Sequence, residues 1–115
     1  MPSAASAIRS LTLADRAKEL CHDVASEYRY IKSTLKPDQT INLSCTVGGV
    51  EYDVYSLGGR NGVVRIDTQI EGAVVLIRCP VEQVSFFITI SKKTSDKPPR
   101  EIGFHAIGEI EQKEA

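Results

Sequence analysis

Two kinds of side chain here could attack a substrate or hold a metal: the thiols of Cys21, Cys45 and Cys79, and the imidazoles of His22 and His105. A nucleophilic thiol needs a base beside it to draw off its proton. Cys21 and His22 are successive residues, so on a helix their side chains diverge by about 100°. Cys45 and Cys79 fall in expected strands, and only the tertiary fold could bring His105 to either. A zinc site asks for three or four converging ligands, and these five residues show no ligand spacing. Three cysteines with no C-x-x-C pair do not make a disulfide scaffold either; they read as reduced thiols serving as small apolar residues. No catalytic residue, metal ligand or cofactor is therefore expected.

Residues suited to binding are easier to find. Gly58-Gly59-Arg60-Asn61-Gly62 is rich in residues that tolerate left-handed backbone. As a loop, its amides could line an anion-binding nest with Arg60 closing on a phosphate or carboxylate, which makes Gly59, Arg60 and Asn61 candidate contacts. It is not a Walker loop, because the Gly-Lys-Ser/Thr ending is missing and a strand follows. The steric needs of a hairpin explain the same composition. Lys92, Lys93, Lys97 and Arg100 form a basic cluster in a Pro-Pro-containing connector; Lys92, Lys93 and Arg100 join the candidates as phosphate contacts. No aromatic platform for bases is interleaved with them, and lysine guarding a sheet edge accounts for them as well. Asp15, Glu19, Asp23 and Glu27 recur every fourth residue as an acidic ridge, either simply solvated or facing a basic partner.

Composition narrows the classes. At 115 residues and 12.6 kDa the chain is long enough for one domain with its own core. A formal net charge of −1 gives no global attraction to nucleic acid or anionic membrane, which leaves only local patches. The first residues show no secretory signal pattern, and no apolar run approaches the roughly 20 residues of a membrane span. The cytoplasm is the expected compartment, with no membrane association.

The elements that must position these residues follow from periodicity. Leu13, Ala17, Leu20, Val24, Tyr28, Ile31 and Leu35 recur at three and four, with Lys18, His22, Ser26 and Arg29 opposite. This predicts a helix over about 13–35, with Thr12 as its N-cap, Asp15 completing a variant capping box, and Pro37 ending it. From residue 40 the period becomes two. Ile41, Leu43, Cys45 and Val47 form one half-buried strand, and Val50, Tyr52 and Val54 another, joined at Gly48-Gly49 by a primed turn. Val64, Ile66 and Ile70 mark a third. Glu71-Gly72 turns into the continuous apolar run Ala73–Ile77, which suggests a strand buried on both faces. Cys79–Gln83 breaks the chain, and Val84, Phe86, Ile88 and Ile90 line a fifth strand. Ile102–Ile107 is expected to dock as an edge strand near 101–107 or to cover the sheet.

Together these predict an α+β fold: a long N-terminal helix packed on a five-stranded antiparallel β-meander or small bent β-barrel over about 40–91. The expected organisation is a flexible stretch 1–10, one domain over 11–107 and a loose acidic tail at 108–115. The order helix, hairpin, third strand, fourth strand, short break, fifth strand resembles the Sm family, which includes the bacterial host-factor RNA chaperone. Ala73–Phe87 carries most of that likeness. It implies a ring that binds single-stranded RNA, although Arg78-Cys79-Pro80-Val81-Glu82 lacks the family's RNA-contacting pattern and the helix is about twice the usual length. Val84-Ser85-Phe86-Phe87 with Pro99–His105 is similar to the ending of an uncharacterised bacterial domain family, which implies no activity and points to a bacterial or phage source.

The expected function is a non-enzymatic binding module acting through its sheet edge and loops as a homo-oligomer, or as an inhibitor or adaptor of a protein partner. The alternatives are an Sm-like oligonucleotide binder, for which nucleic acid is the partner, and a sequestering protein for a small anionic ligand.

Overall fold

The computed structural model describes the backbone of residues 2–105 and side chains from Arg16 onward. Among these residues one helix precedes seven strands in two sheets, so the fold is α+β. The helix α1 runs Pro2–Ser33. It begins well before residue 13, so Thr12 lies inside it rather than capping it, and the stretch expected to be frayed is helical. The reason is local: Pro2 is favoured at a first helical position, and the alanines at 4, 5 and 7 are strong helix formers. Ala17, Cys21, Val24, Ala25 and Tyr28 are buried, while Lys18, His22, Ser26 and Arg29 face solvent as their spacing predicts. Leu13 and Asp15 lie outside the described side chains, and the 108–115 tail lies outside the described residues altogether.

The sheet region opens with β1 (Gln39–Val47) and β2 (Val50–Asp53), antiparallel and joined through the Val47–Val50 pair. Gly48 and Gly49 take φ of 59° and 78°, which is the primed turn their identity predicts. Beyond Asp53 the strand does not stop. Val54 still donates to the Leu43 carbonyl, whereas Tyr55 donates to the Asp67 carbonyl, so the chain leaves one sheet for the other at this bend. It continues as β3 (Ser56–Arg60), which pairs antiparallel with β4 (Val63–Ile70), and β4 with β5 (Ala73–Pro80).

A 3-10 turn, Val81–Gln83, then carries the chain back to the first sheet as β6 (Val84–Lys92), antiparallel to the whole of β1. Last comes β7 (Gly103–Phe104), parallel to β3. The extra edge strand expected near 101–107 is thus present but short; Ala106 and Ile107 fall outside the described residues. Strand order is β2-β1-β6 in one sheet and β5-β4-β3-β7 in the other.

Two expectations are overturned. The glycine-rich stretch is not a loop: Gly58, Gly59 and Arg60 are strand residues and only Asn61-Gly62 turns, with φ of 52° and 79°. The second strand is therefore longer than expected and bent, and it counts as two. Nor is Ala73–Ile77 buried on both faces. Val75 and Ile77 turn inward and are half-buried, but Val74 and Leu76 are 66% and 62% exposed. Both faces of this run are apolar in sequence, yet β5 is the last strand of its sheet and no described residue covers its outer side.

The core lies between α1 and the inner faces of both sheets. It is built from Ala17, Cys21, Val24 and Tyr28 against Ile41, Leu43, Cys45, Val54, Leu57, Val64, Ile66 and Phe104. No described helix is long and apolar enough to cross a membrane.

Candidate functional site

The three thiols all point into the core. Burial pushes Cys21 up to about 12 and Cys45 up to about 11, and raises Cys79 as well. Desolvation disfavours the thiolate, the form a nucleophile or metal ligand needs. Each thiol therefore behaves as the apolar filler its sequence context suggests. His22 is exposed on the helix, and His105 sits half-buried beside Gly58 and Gly103. Among the described residues no group of three or more His, Cys, Asp or Glu side chains could hold a metal ion.

The six candidate contacts are dispersed. Gly59 lies under the helix, where a Cβ would overlap the Ala17 carbonyl and come within 2.9 Å of Cys21 Sγ. It is glycine so that helix and sheet can approach, and its extended backbone cannot form a nest. Arg60 is exposed at the end of β3, and Asn61 occupies the left-handed turn that follows. Val81 N donates to Gly62 O at 3.0 Å, which puts this hairpin beside the start of β6. Lys92 is at the far end of β6, roughly 26 Å away along a strand of that length.

Lys92 and Lys93 line a shallow cleft of about 580 Å³ together with Pro37, Asp38, Thr94, Ser95 and Asp96. Two carboxylates share the cleft with the two lysines, so its charge is mixed and it selects for no anion. Lys93 N donates to the Asp38 carbonyl at 2.8 Å, which ties the connector to the chain just after the helix.

Arg100 has a different part from the one its charge suggests. Its Nη2 donates to Val54 O at 2.8 Å and to Asn42 Oδ1 at 3.0 Å, and its guanidinium stacks 4.3 Å from the centre of the Tyr55 ring. These partners surround the bend between β2 and β3. Leaving one sheet for another strips Val54 O of a ladder partner, and Arg100 supplies the donor. Asn42 in turn donates to Asp53 Oδ1 at 3.1 Å, so the clamp extends across β1 and β2. Arg100 is thereby committed to holding the fold. Nothing in its local sequence reveals this, because its partners lie 46 to 58 residues away.

Sequence reasoning expected contacts through a sheet edge but missed which strands end the sheets and that apolar side chains stand exposed on them. Among the described residues β5 and β6 each have one neighbour, and each leaves an edge without a described partner. Exposed apolar side chains accompany both: Val74 and Leu76 on β5, Phe87 and Ile90 on β6, the latter two each 47% exposed. The available signal was the uninterrupted apolar run itself, which fits an unfilled interface as well as a buried strand. No family model, curated protein or solved structure matches this chain.

Proposed function

We propose that this chain is a non-enzymatic interaction module that assembles with further copies of itself, the edge of β5 in one copy pairing with the edge of β6 in the next. The carrying observation is the outer apolar side of β5, where Val74 and Leu76 stand about two-thirds exposed beside an open edge. An unpaired row of backbone donors and acceptors flanked by aliphatic side chains is a template for strand addition. β6 offers a matching length, nine residues against eight, and its own exposed Phe87 and Ile90. The two edges belong to different strands, so such pairing is head-to-tail and generates a ring if the rotation closes. Three desolvated thiols and the scattered polar candidates support a role in binding over one in catalysis.

A second reading, a single-stranded RNA binder of the Sm type, draws on one feature: a 3-10 turn of three residues separates β5 from β6, and β6 then returns to pair with β1. Light scattering of the native protein across a concentration series, with and without oligouridylate, divides the two readings. A mass above the monomer that is indifferent to RNA supports the first. Salt-sensitive RNA binding by the assembly supports the second. A monomeric mass at every concentration removes both.

A further inference from the structure

We propose that the outward face of β3, β4 and β5 is a docking surface for an acidic polypeptide segment, with Arg60 and Arg78 as its cationic contacts. The face is defined by the pleat. Val64 and Ile66 point into the core, so Val63, Arg65 and Asp67 point outward, together with their cross-strand partners. Gly58, Arg65 and Arg78 make one row across the three strands, and Arg60, Val63 and Pro80 make the next.

Three guanidinium groups thus lie on adjoining rows of one face, and Arg65 and Arg78 are directly opposed. Like charges directly opposite one another destabilise a sheet. Arg65 is half-buried and engaged in an interaction of its own; Arg60 and Arg78 are exposed. Asp67, in the neighbouring row, is half-buried; its Oδ2 accepts from Ser56 Oγ at 2.7 Å, while its buried Oδ1 has no hydrogen-bond partner among the described residues. His105 covers Gly58 on the same row, where a Cβ would meet its carbonyl oxygen at 3.3 Å.

The chemistry around the arginines selects the partner class. Val63 and Leu76 stand exposed between and beside them, and no aromatic ring shares β3, β4 or β5 for a base to stack on. Arginine is among the residues enriched at protein interfaces, and Val63 and Leu76 add apolar contact beside it. Its charge asks for carboxylates, which accept two parallel hydrogen bonds from each guanidinium. Leu76 belongs to both surfaces, so the two proposals are told apart by their variants: Arg60 and Arg78 are read by peptide affinity, Leu76 by native mass.

Fluorescence anisotropy with a labelled peptide of about ten residues alternating Glu and Val, more than long enough to cross three strands spaced about 4.8 Å apart, tests the proposal. Parallel arms use the same peptide with Gln for Glu, and an oligouridylate of equal length. The Glu peptide should bind. The Gln peptide should bind about tenfold more weakly or worse, and the double variant Arg60→Glu with Arg78→Glu should lose at least about tenfold in affinity for the Glu peptide. Lys92→Glu, on the other sheet, should leave it unchanged. Should the double variant fail to fold, as read by circular dichroism, Arg78→Gln alone should still weaken binding severalfold. Equal binding of Glu and Gln peptides, arginine variants without effect, or capture of the oligonucleotide in preference to the peptide would each overturn the proposal.

Discussion

Arg100 and the three cysteines show opposite fates for reactive side chains. A guanidinium in the connector is spent on backbone carbonyls, and its role is geometric: it donates to Val54 O where the strand changes sheets and stacks on Tyr55. Arg100→Ala should lower stability by about 1.5–3 kcal/mol, the range for hydrogen bonds to charged groups, measured as a drop in the urea midpoint. Arg100→Lys should restore little, because an ammonium cannot span Val54 O and Asn42 Oδ1 from a flat fork. The thiols give a pH signature. With folded-state values raised to about 12 for Cys21 and about 11 for Cys45, the unfolded chain loses these protons first as pH rises. Their contribution is complete below the ordinary thiol value of 9.0 and is lost as pH climbs through the folded values. The urea midpoint should therefore fall from about pH 9 upward, and less steeply in Cys21→Ala. A midpoint with no alkaline slope would contradict the burial assigned to these groups.

At the level of elements, the helix–sheet contact turns on one glycine. α1 packs chiefly on β3, and at Gly59 a Cβ would run into the Ala17 carbonyl and Cys21. A strand glycine commonly marks such an approach. That signal was in the sequence, and the flanking Asn61-Gly62 turn obscured it by making the whole stretch resemble a loop. Gly59→Ala should cost about 1–3 kcal/mol or more through overpacking, because its obstacle is backbone and cannot move like a side-chain tip. Gly72→Ala is the informative comparison. Its φ of 83° strains any L side chain, but nothing lies within 4 Å of the added carbon. Its cost should be limited to about 1–2 kcal/mol. A smaller loss of melting temperature for Gly59→Ala than for Gly72→Ala would show that the helix does not sit on β3 as closely as described.

For the molecule as a whole, the question is what covers β5 and β6. Val74 and Leu76 on β5 and Phe87 and Ile90 on β6 stand exposed, whereas the core is filled from α1 to Phe104. Leu76→Glu places a charge on the outer side of β5 without touching the core. It should leave the circular dichroism spectrum intact while reducing the native mass toward the monomer at a given concentration. Retention of the parent mass would relocate the contact away from β5 and count against the assembly proposed above.

Periodicity alone determined much of this protein. The helical stripe from Ala17 to Tyr28, the β1–β2 hairpin turning at Gly48-Gly49, and a break within the expected Cys79–Gln83 are all set by neighbours within a few residues, where side-chain direction and backbone sterics act locally. The structure narrows that break to Val81–Gln83, because Cys79 and Pro80 still pair with β4. Tertiary structure decided what depends on distant partners. The bend at Val54–Tyr55 exists because β1 claims one half of the strand and β4 the other; Arg100 reaches its acceptors only once both sheets stand. The exposure of Val74 and Leu76 likewise depends on what packs over the outward face, where Val63 of the inner strand β4 is exposed too; an apolar side chain is buried by its neighbours and not by its own hydropathy.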